Sequence, residues 1–280
     1  MASSSTASAA LAVLLTVGLA VLSRGAHGAF VVRAGSSLAD IAYPGQFPWH
    51  AAVHVAGADA NTLLGSGALV SQQYVLTAAS ILPEDAEKAK LEVVLGVVTL
   101  RQTGTRVGVK GVTKHDEWKP ESRALHDLAL LQLETSIMLP NDNTIALALL
   151  PPRFYRGATY KDQSVSVSSW GGETDDYKGL FLREVVVRVL SNRDCQSQRS
   201  VQTERVPRSQ LCAVQAAGDD TLLGTADAGD PAVFAEPSGA YRLIGIVSAE
   251  RQSASGRPTV LARITEHLDW IAANSDAIIG

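Results

Sequence analysis

Thr225-Ala226-Asp227-Ala228-Gly229-Asp230-Pro231-Ala232-Val233-Phe234 is the stretch around which the chain is read. A short polar segment with one glycine runs into Pro-Ala-Val-Phe. That order predicts a strand entered from a sharp bend. Two more stretches share this plan of an apolar run beside a chemically distinctive residue. One is Gly67-Ala68-Leu69-Val70, a short spacer, then Tyr74-Val75-Leu76-Thr77-Ala78-Ala79-Ser80. The other is His126-Asp127-Leu128-Ala129-Leu130-Leu131-Gln132-Leu133.

Together the three stretches resemble the signature segments of trypsin-like (chymotrypsin-fold) serine proteases. With Pro231 on the proline of Gly-Asp-Ser-Gly-Gly-Pro, Asp227 falls on the motif Asp and Ala228 on the nucleophilic serine. In the second stretch the family's Ala-Ala-His-Cys becomes Ala78-Ala79-Ser80-Ile81, so Ser80 takes the place of the catalytic His. The third stretch is intact, and Asp127 takes the third triad position. The chain order His, Asp, Ser is that of the chymotrypsin-like class, here Ser80, Asp127, Ala228.

The resemblance extends from Gly45 to Ile271. Gly45-Gln46-Phe47-Pro48-Trp49-His50 is similar to the family's first strand. Ser169-Trp170-Gly171 is similar to its Gly-Trp-Gly. Short β-rich runs at 91–96, 106–110, 164–168, 184–190 and 241–248 alternate with polar or glycine segments, as strands do. The segment 263–271 has helical spacing and matches the family's terminal helix. The fold expected is all-β: two packed six-stranded antiparallel barrels with a C-terminal helix.

Composition agrees with that class. The chain has 280 residues, 46% hydrophobic and 19% charged, enough to bury a sizeable core. A formal charge of −4 gives no reason to expect nucleic acid or an anionic membrane as partner. Residues Ala9 to Leu22 are uncharged and apolar, too short for a comfortable membrane span and suited to a signal-peptide core. Ala26-His27-Gly28 offers small residues for cleavage. The expected organisation is a signal peptide at 1–28, a short segment at 29–44 and the degenerate protease domain at 45–280. An uncleaved anchor is the alternative. Arg33 reads either as an activation remnant or as a surface arginine, and the family's Ile-Val-Gly-Gly is absent.

Cys195 and Cys212 are the two cysteines. In a secreted chain they pair or stay as buried thiols. The resemblance favours a bridge, because 190–195 and 210–213 look like the family's paired segments. Such a bridge contributes about 3 kcal/mol in the chain-entropy model. The family's bridges beside the catalytic His and the substrate pocket fall here on Gly65, Ile81 and Gly224, so both are expected to be missing.

Acyl transfer on this scaffold needs a hydroxyl nucleophile, an imidazole base and an acid that orients it. A methyl at Ala228 cannot attack, and the Ser80 hydroxyl has no proton affinity near pH 7. The resemblance also puts Leu222 at the pocket base, where trypsin-like members carry Asp, and Glu250 and Thr259 on two glycine walls. Loop lengths misaligned by one or two residues are the alternative there. Asp227 takes the place of the Asp that pairs with the new N-terminus on activation. His50, His54, His115, His126 and His267 are read as surface or packed side chains. No acidic loop or close His pair stands in the sequence, so neither a metal site nor a cofactor is expected. The function implied is a secreted non-catalytic homologue that binds extracellular proteins, proteases or their substrates among them, as regulator, cofactor or decoy. A weak or unusual endopeptidase and a structural protein without a specific partner are the competing readings.

Overall fold

The computed structural model describes residues 40–57, 63–86, 88–122, 124–171, 181–198, 205–215, 223, 227–248 and 258–280. The expected signal peptide, its cleavage site and Arg33 lie outside the described residues.

Six antiparallel strands close the first barrel: β2 (His50–Val55), β3 (Leu63–Leu69), β4 (Tyr74–Thr77), β5 (Leu91–Leu95), β6 (Thr105–Lys114) and β7 (Ala129–Leu133), in the order β2-β3-β4-β7-β6-β5. The second barrel contains β8 (Ser164–Ser169), β9 (Arg183–Leu190), β10 (Gln210–Gln215), β11 (Pro231–Ala235), β12 (Tyr241–Val247) and β13 (Thr259–Arg263). Its order is β8-β9-β10-β13-β12-β11, and β11 returns to pair with β8. A two-residue strand, β1 (Asp40–Ile41), adds to the outside of β9 in the register Asp40↔Glu184. It lies ahead of the domain start expected at Gly45. Helix α1 (Asn192–Gln198) follows β9, and α2 (Ile264–Asn274) follows β13 near the C-terminus. No helix among the described residues is long and apolar enough to cross a membrane.

The period-2 pattern explains why two barrels form side by side. In β9, Val185, Val187 and Val189 point into the second barrel while Arg188 points out. In β7, Ala129, Leu131 and Leu133 fill the first barrel. The alternate residues Leu128 and Leu130 join a third apolar cluster that also takes Val233, Leu243 and Ile246 from the second barrel. Strands at the junction are therefore apolar on both faces, which is why 128–133 reads as a nearly continuous hydrophobic run. Each fully buried leucine there is worth about 2 kcal/mol of transfer free energy.

Cys195 in α1 and Cys212 in β10 are joined by a disulfide, with both sulfurs buried. Ser191 caps α1: its Oγ accepts from Asp194 N at 3.0 Å and donates to Asp194 Oδ2 at 2.6 Å. Arg263, at the end of β13, is buried and donates to Ala158 O, Asn192 Oδ1 and Gln210 O at 2.7, 3.1 and 2.9 Å. That guanidinium ties β13, β10 and the start of α1 together.

Candidate functional site

The stretch at 227–234 folds as its composition predicts. Asp227 to Gly229 form a tight turn, and β11 begins at Pro231. Gly229 has φ +92, and a side chain there would collide with Ser66 O of β3. Only glycine serves at that position, since the turn needs both the left-handed backbone and the close approach. Ala228 O accepts from Ser66 N at 3.4 Å, so the turn is seated on the first barrel. The Ala228 side chain is 2% exposed and lies in the cluster between the barrels.

Ser80 stands in a 3-10 turn, Ala79–Ile81, just after β4. Asp127 is fully buried at the start of the run leading into β7. The two are clasped twice: Ser80 N donates to Asp127 Oδ1 at 2.7 Å, and Ser80 Oγ donates to Asp127 Oδ2 at 2.7 Å. Next to this clasp, Gly65 faces both Ala228 O and the Ile81 side chain. A Cβ at Gly65 would lie 2.7 Å from the first and 2.9 Å from Ile81 Cγ2. The Ile81 methyls thus fill the space where the resemblance expects a cystine. The Ser80–Asp127 clasp and the Ala228 turn share that wall at the barrel junction.

A second carboxylate pair lies under the turn. Ser169 Oγ donates to Asp227 Oδ1 at 2.6 Å and accepts from Gly171 N at 2.9 Å. Asp230, one residue before Pro231, is 1% exposed, and its Oδ2 has no hydrogen-bond partner. Burial first, and then the Asp227 charge, push the Asp230 carboxyl well above the usual carboxylate range. Asp230 stands in the polar segment before Pro231, and no local rule indicates that it is buried.

The pocket positions are only partly described. Thr259 opens β13, is 8% exposed, and its Oγ1 donates to Leu223 O at 3.4 Å. Leu223 packs into the second barrel's core. Leu222 and Glu250 lie outside the described residues.

The histidines correct the sequence expectation of no clustered ligands. His115, His126 and His267 come together, with one nitrogen from each within 4.8 Å of the others. His115 follows β6, His126 immediately precedes Asp127 with φ +52, and His267 lies in the first turn of α2. Nothing local in the sequence announces a grouping that spans residues 115 to 267. His126 Nδ1 is 3.1 Å from His267 Nε2. His267 Nδ1 is 2.7 Å from Arg263 O, and His126 Nε2 is 3.0 Å from Glu117 Oε2. Burial pushes His267 down to about 4, so its ring is neutral. His50 is elsewhere, buried against Ser168 Oγ at 2.8 Å and lowered by burial to about 3.

Comparison with known proteins agrees with this architecture. The Trypsin family model matches residues 39–271. Coagulation factor XI of Bos taurus is 28% identical over 233 residues, covering 81% of this chain and 36% of that protein. Proclotting enzyme of Tachypleus tridentatus is 29% identical over 250 residues, covering 81% of this chain and 63% of that protein. Inactive CLIP domain-containing serine protease A3 of Aedes aegypti is 29% identical over 265 residues, covering 87% of this chain and 52% of that protein. The chain thus spans between about a third and two thirds of the length of these relatives.

Proposed function

The chain belongs to the trypsin family, and from that premise we propose that it is a non-catalytic member, acting outside the cell by binding other proteins as a regulator, cofactor or decoy. The observation that carries this is the pair of residues at the barrel junction. Ala228, on the turn that carries the family's nucleophile, ends in a methyl group. Ser80, at the base position, spends its hydroxyl proton on Asp127. Acyl transfer needs a group that takes the nucleophile's proton, and a hydroxyl that already donates to a carboxylate does not. In this reading Asp127 anchors the 79–81 turn rather than orienting an imidazole. Asp227, which in the family awaits an incoming ammonium, accepts here from Ser169 Oγ.

The protein-binding role draws on the comparisons. One relative is by name an inactive serine protease, so the family scaffold is used without catalysis elsewhere. Two others are by name a coagulation factor and a proclotting enzyme. Extracellular proteases or their substrates are accordingly the partner class proposed. Secretion, with a signal peptide at 1–28, a short segment at 29–44 and the domain at 45–280, is supported by the apolar run at 9–22 and by the disulfide.

Turnover of peptide esters and amides is the direct test. The wild-type chain is expected to give none, and sustained hydrolysis would overturn the reading in favour of an unusual endopeptidase. Ser80→His combined with Ala228→Ser rebuilds the side chains of a triad with Asp127. That double variant is expected to react with a small phosphonylating probe yet cleave peptides poorly, because catalysis also needs preorganised oxyanion donors and a positioned substrate. Robust peptide cleavage by the double variant would show that only the triad had been lost. Capture from native extracellular fluid, followed by mass spectrometry, separates a specific binder from a structural protein without a partner.

A further inference from the structure

We propose that His115, His126 and His267 form a binding site for a borderline divalent cation of the first transition row, with Zn2+ as its representative. The argument starts from protons. A backbone carbonyl only accepts, so the 2.7 Å contact to Arg263 O places the His267 proton on Nδ1 and leaves a lone pair on Nε2. A carboxylate likewise accepts, so the 3.0 Å contact to Glu117 places a proton on His126 Nε2. The tautomer that carries a single proton, on Nε2, keeps its lone pair on Nδ1. Those two lone pairs face one another across 3.1 Å. In that tautomer no hydrogen lies between the two nitrogens, and a metal ion seated there would take both lone pairs.

The geometry suits a metal ion. Zinc holds imidazole nitrogens at about 2.0–2.1 Å in a tetrahedral arrangement, which separates two such nitrogens by about 3.4 Å. The observed 3.1 Å needs only a small opening. The outer contacts are those that metal-ligating histidines use: one ring donates to a carboxylate and the other to a backbone carbonyl, fixing tautomer and aim. The third ring, His115, stacks on His126 with centroids 4.8 Å apart and an interplanar angle of 18°. Its Nδ1 accepts from Glu117 N over a long 3.2 Å. It becomes the third ligand by giving up that bond and turning out of the stack. Glu117 N lies at an exposed residue, where water replaces the lost contact. Three imidazoles and no thiolate suit zinc, copper or nickel and disfavour magnesium or calcium. The ion would bind the loop that carries Asp127 to the C-terminal helix, outside the Ser80–Asp127 clasp.

The test uses the full-length chain stripped with a chelator and titrated with Zn2+, with Mg2+ as control and Co2+ as a spectroscopic probe. One Zn2+ per chain is expected, with a tetrahedral Co2+ visible spectrum and no competition from Mg2+. His126→Gln, His267→Gln and His115→Gln should each weaken Zn2+ at least about tenfold. Glu117→Ala, which removes an outer contact only, should cost about tenfold. If His267→Gln does not fold, the less buried His115 and His126 variants still decide. Absence of stoichiometric Zn2+ binding would overturn the site. So would affinity unchanged in the His115 or His126 variant. A doubly protonated His126 ring at neutral pH in chain that binds no Zn2+ would show that a proton fills the gap instead.

Discussion

The two sides of the barrel junction treat a buried aspartate in opposite ways. On the first-barrel side, Asp127 is fully buried and receives Ser80 N and Ser80 Oγ, one on each carboxylate oxygen. On the second-barrel side, Asp230 is almost as buried, leaves Oδ2 unpartnered, and sits beside a second carboxylate. Burial is the same, but the donors differ. The difference teaches that depth alone does not set the surroundings of a buried carboxyl: aimed donors and a neighbouring charge do. The first-barrel side holds a donor pair, Ser80 N and Oγ, on one carboxylate. The second-barrel side holds Asp230, its carboxyl raised by burial, where the family motif has glycine.

Removing the better-supplied carboxylate should do the most damage. Asp127→Ala leaves Ser80 N and Oγ without their acceptor, and hydrogen bonds to a charged group are worth about 1.5–3 kcal/mol each. A loss of about 3 kcal/mol or more is expected in denaturant unfolding. A loss under about 1 kcal/mol would mean that water replaces the carboxylate and that the clasp is not what orders the 79–81 turn.

Asp230→Asn tests the other side through pH. Asp230 has a raised folded pKa, so above the unfolded value of about 3.9 the unfolded chain releases a proton that the folded chain keeps. Stability is then present in full at low pH and falls as pH rises toward the folded pKa, by up to ~1.4 kcal/mol per pH unit. The asparagine variant cannot lose that proton. Its stability relative to wild type is expected to climb with pH through that window. Parallel stability–pH curves for the two proteins would show that Asp230 is ionised in the folded state.

The mildest change is Ser80→Ala. It keeps the backbone donor to Oδ1 and deletes only the hydroxyl donor to Oδ2. A cost of about 1–2 kcal/mol is expected by thermal or chemical unfolding. If Ser80→Ala cost as much as Asp127→Ala, the hydroxyl alone would be the anchor, and the contrast drawn between the two sides would rest on one bond.

Much of the fold was legible because it is written in short range. Alternation at 184–190 marked β9, and the helical spacing at 263–271 marked α2. The polar turn before Pro231 marked the start of β11. The three motif stretches single out residues 80, 127 and 228 through the family resemblance. The brief strand Asp40–Ile41 was not legible, since two residues carry no period and β1 exists only because β9 offers an edge. Asp230 stands in the polar segment before Pro231, and whether it faced solvent or Asp227 depended on how the turn packs on Ser66 and Ser169.

The sequence by itself determined the scaffold and the identities at its centre: an alanine, a serine and an aspartate on three segments that the strand and turn rules can find. Only the tertiary structure decided how those residues are used. It turned the Ser80 hydroxyl onto Asp127, packed Ile81 against Gly65, and buried Asp230 beside Asp227 with Oδ2 unpartnered. It also gathered His115, His126 and His267 from two loops and a helix. Periodicity and turn chemistry act over a few residues and leave local traces. A hydrogen-bond partner or a facing lone pair is set by barrel closure and helix docking, which bring together segments that carry no mark of one another.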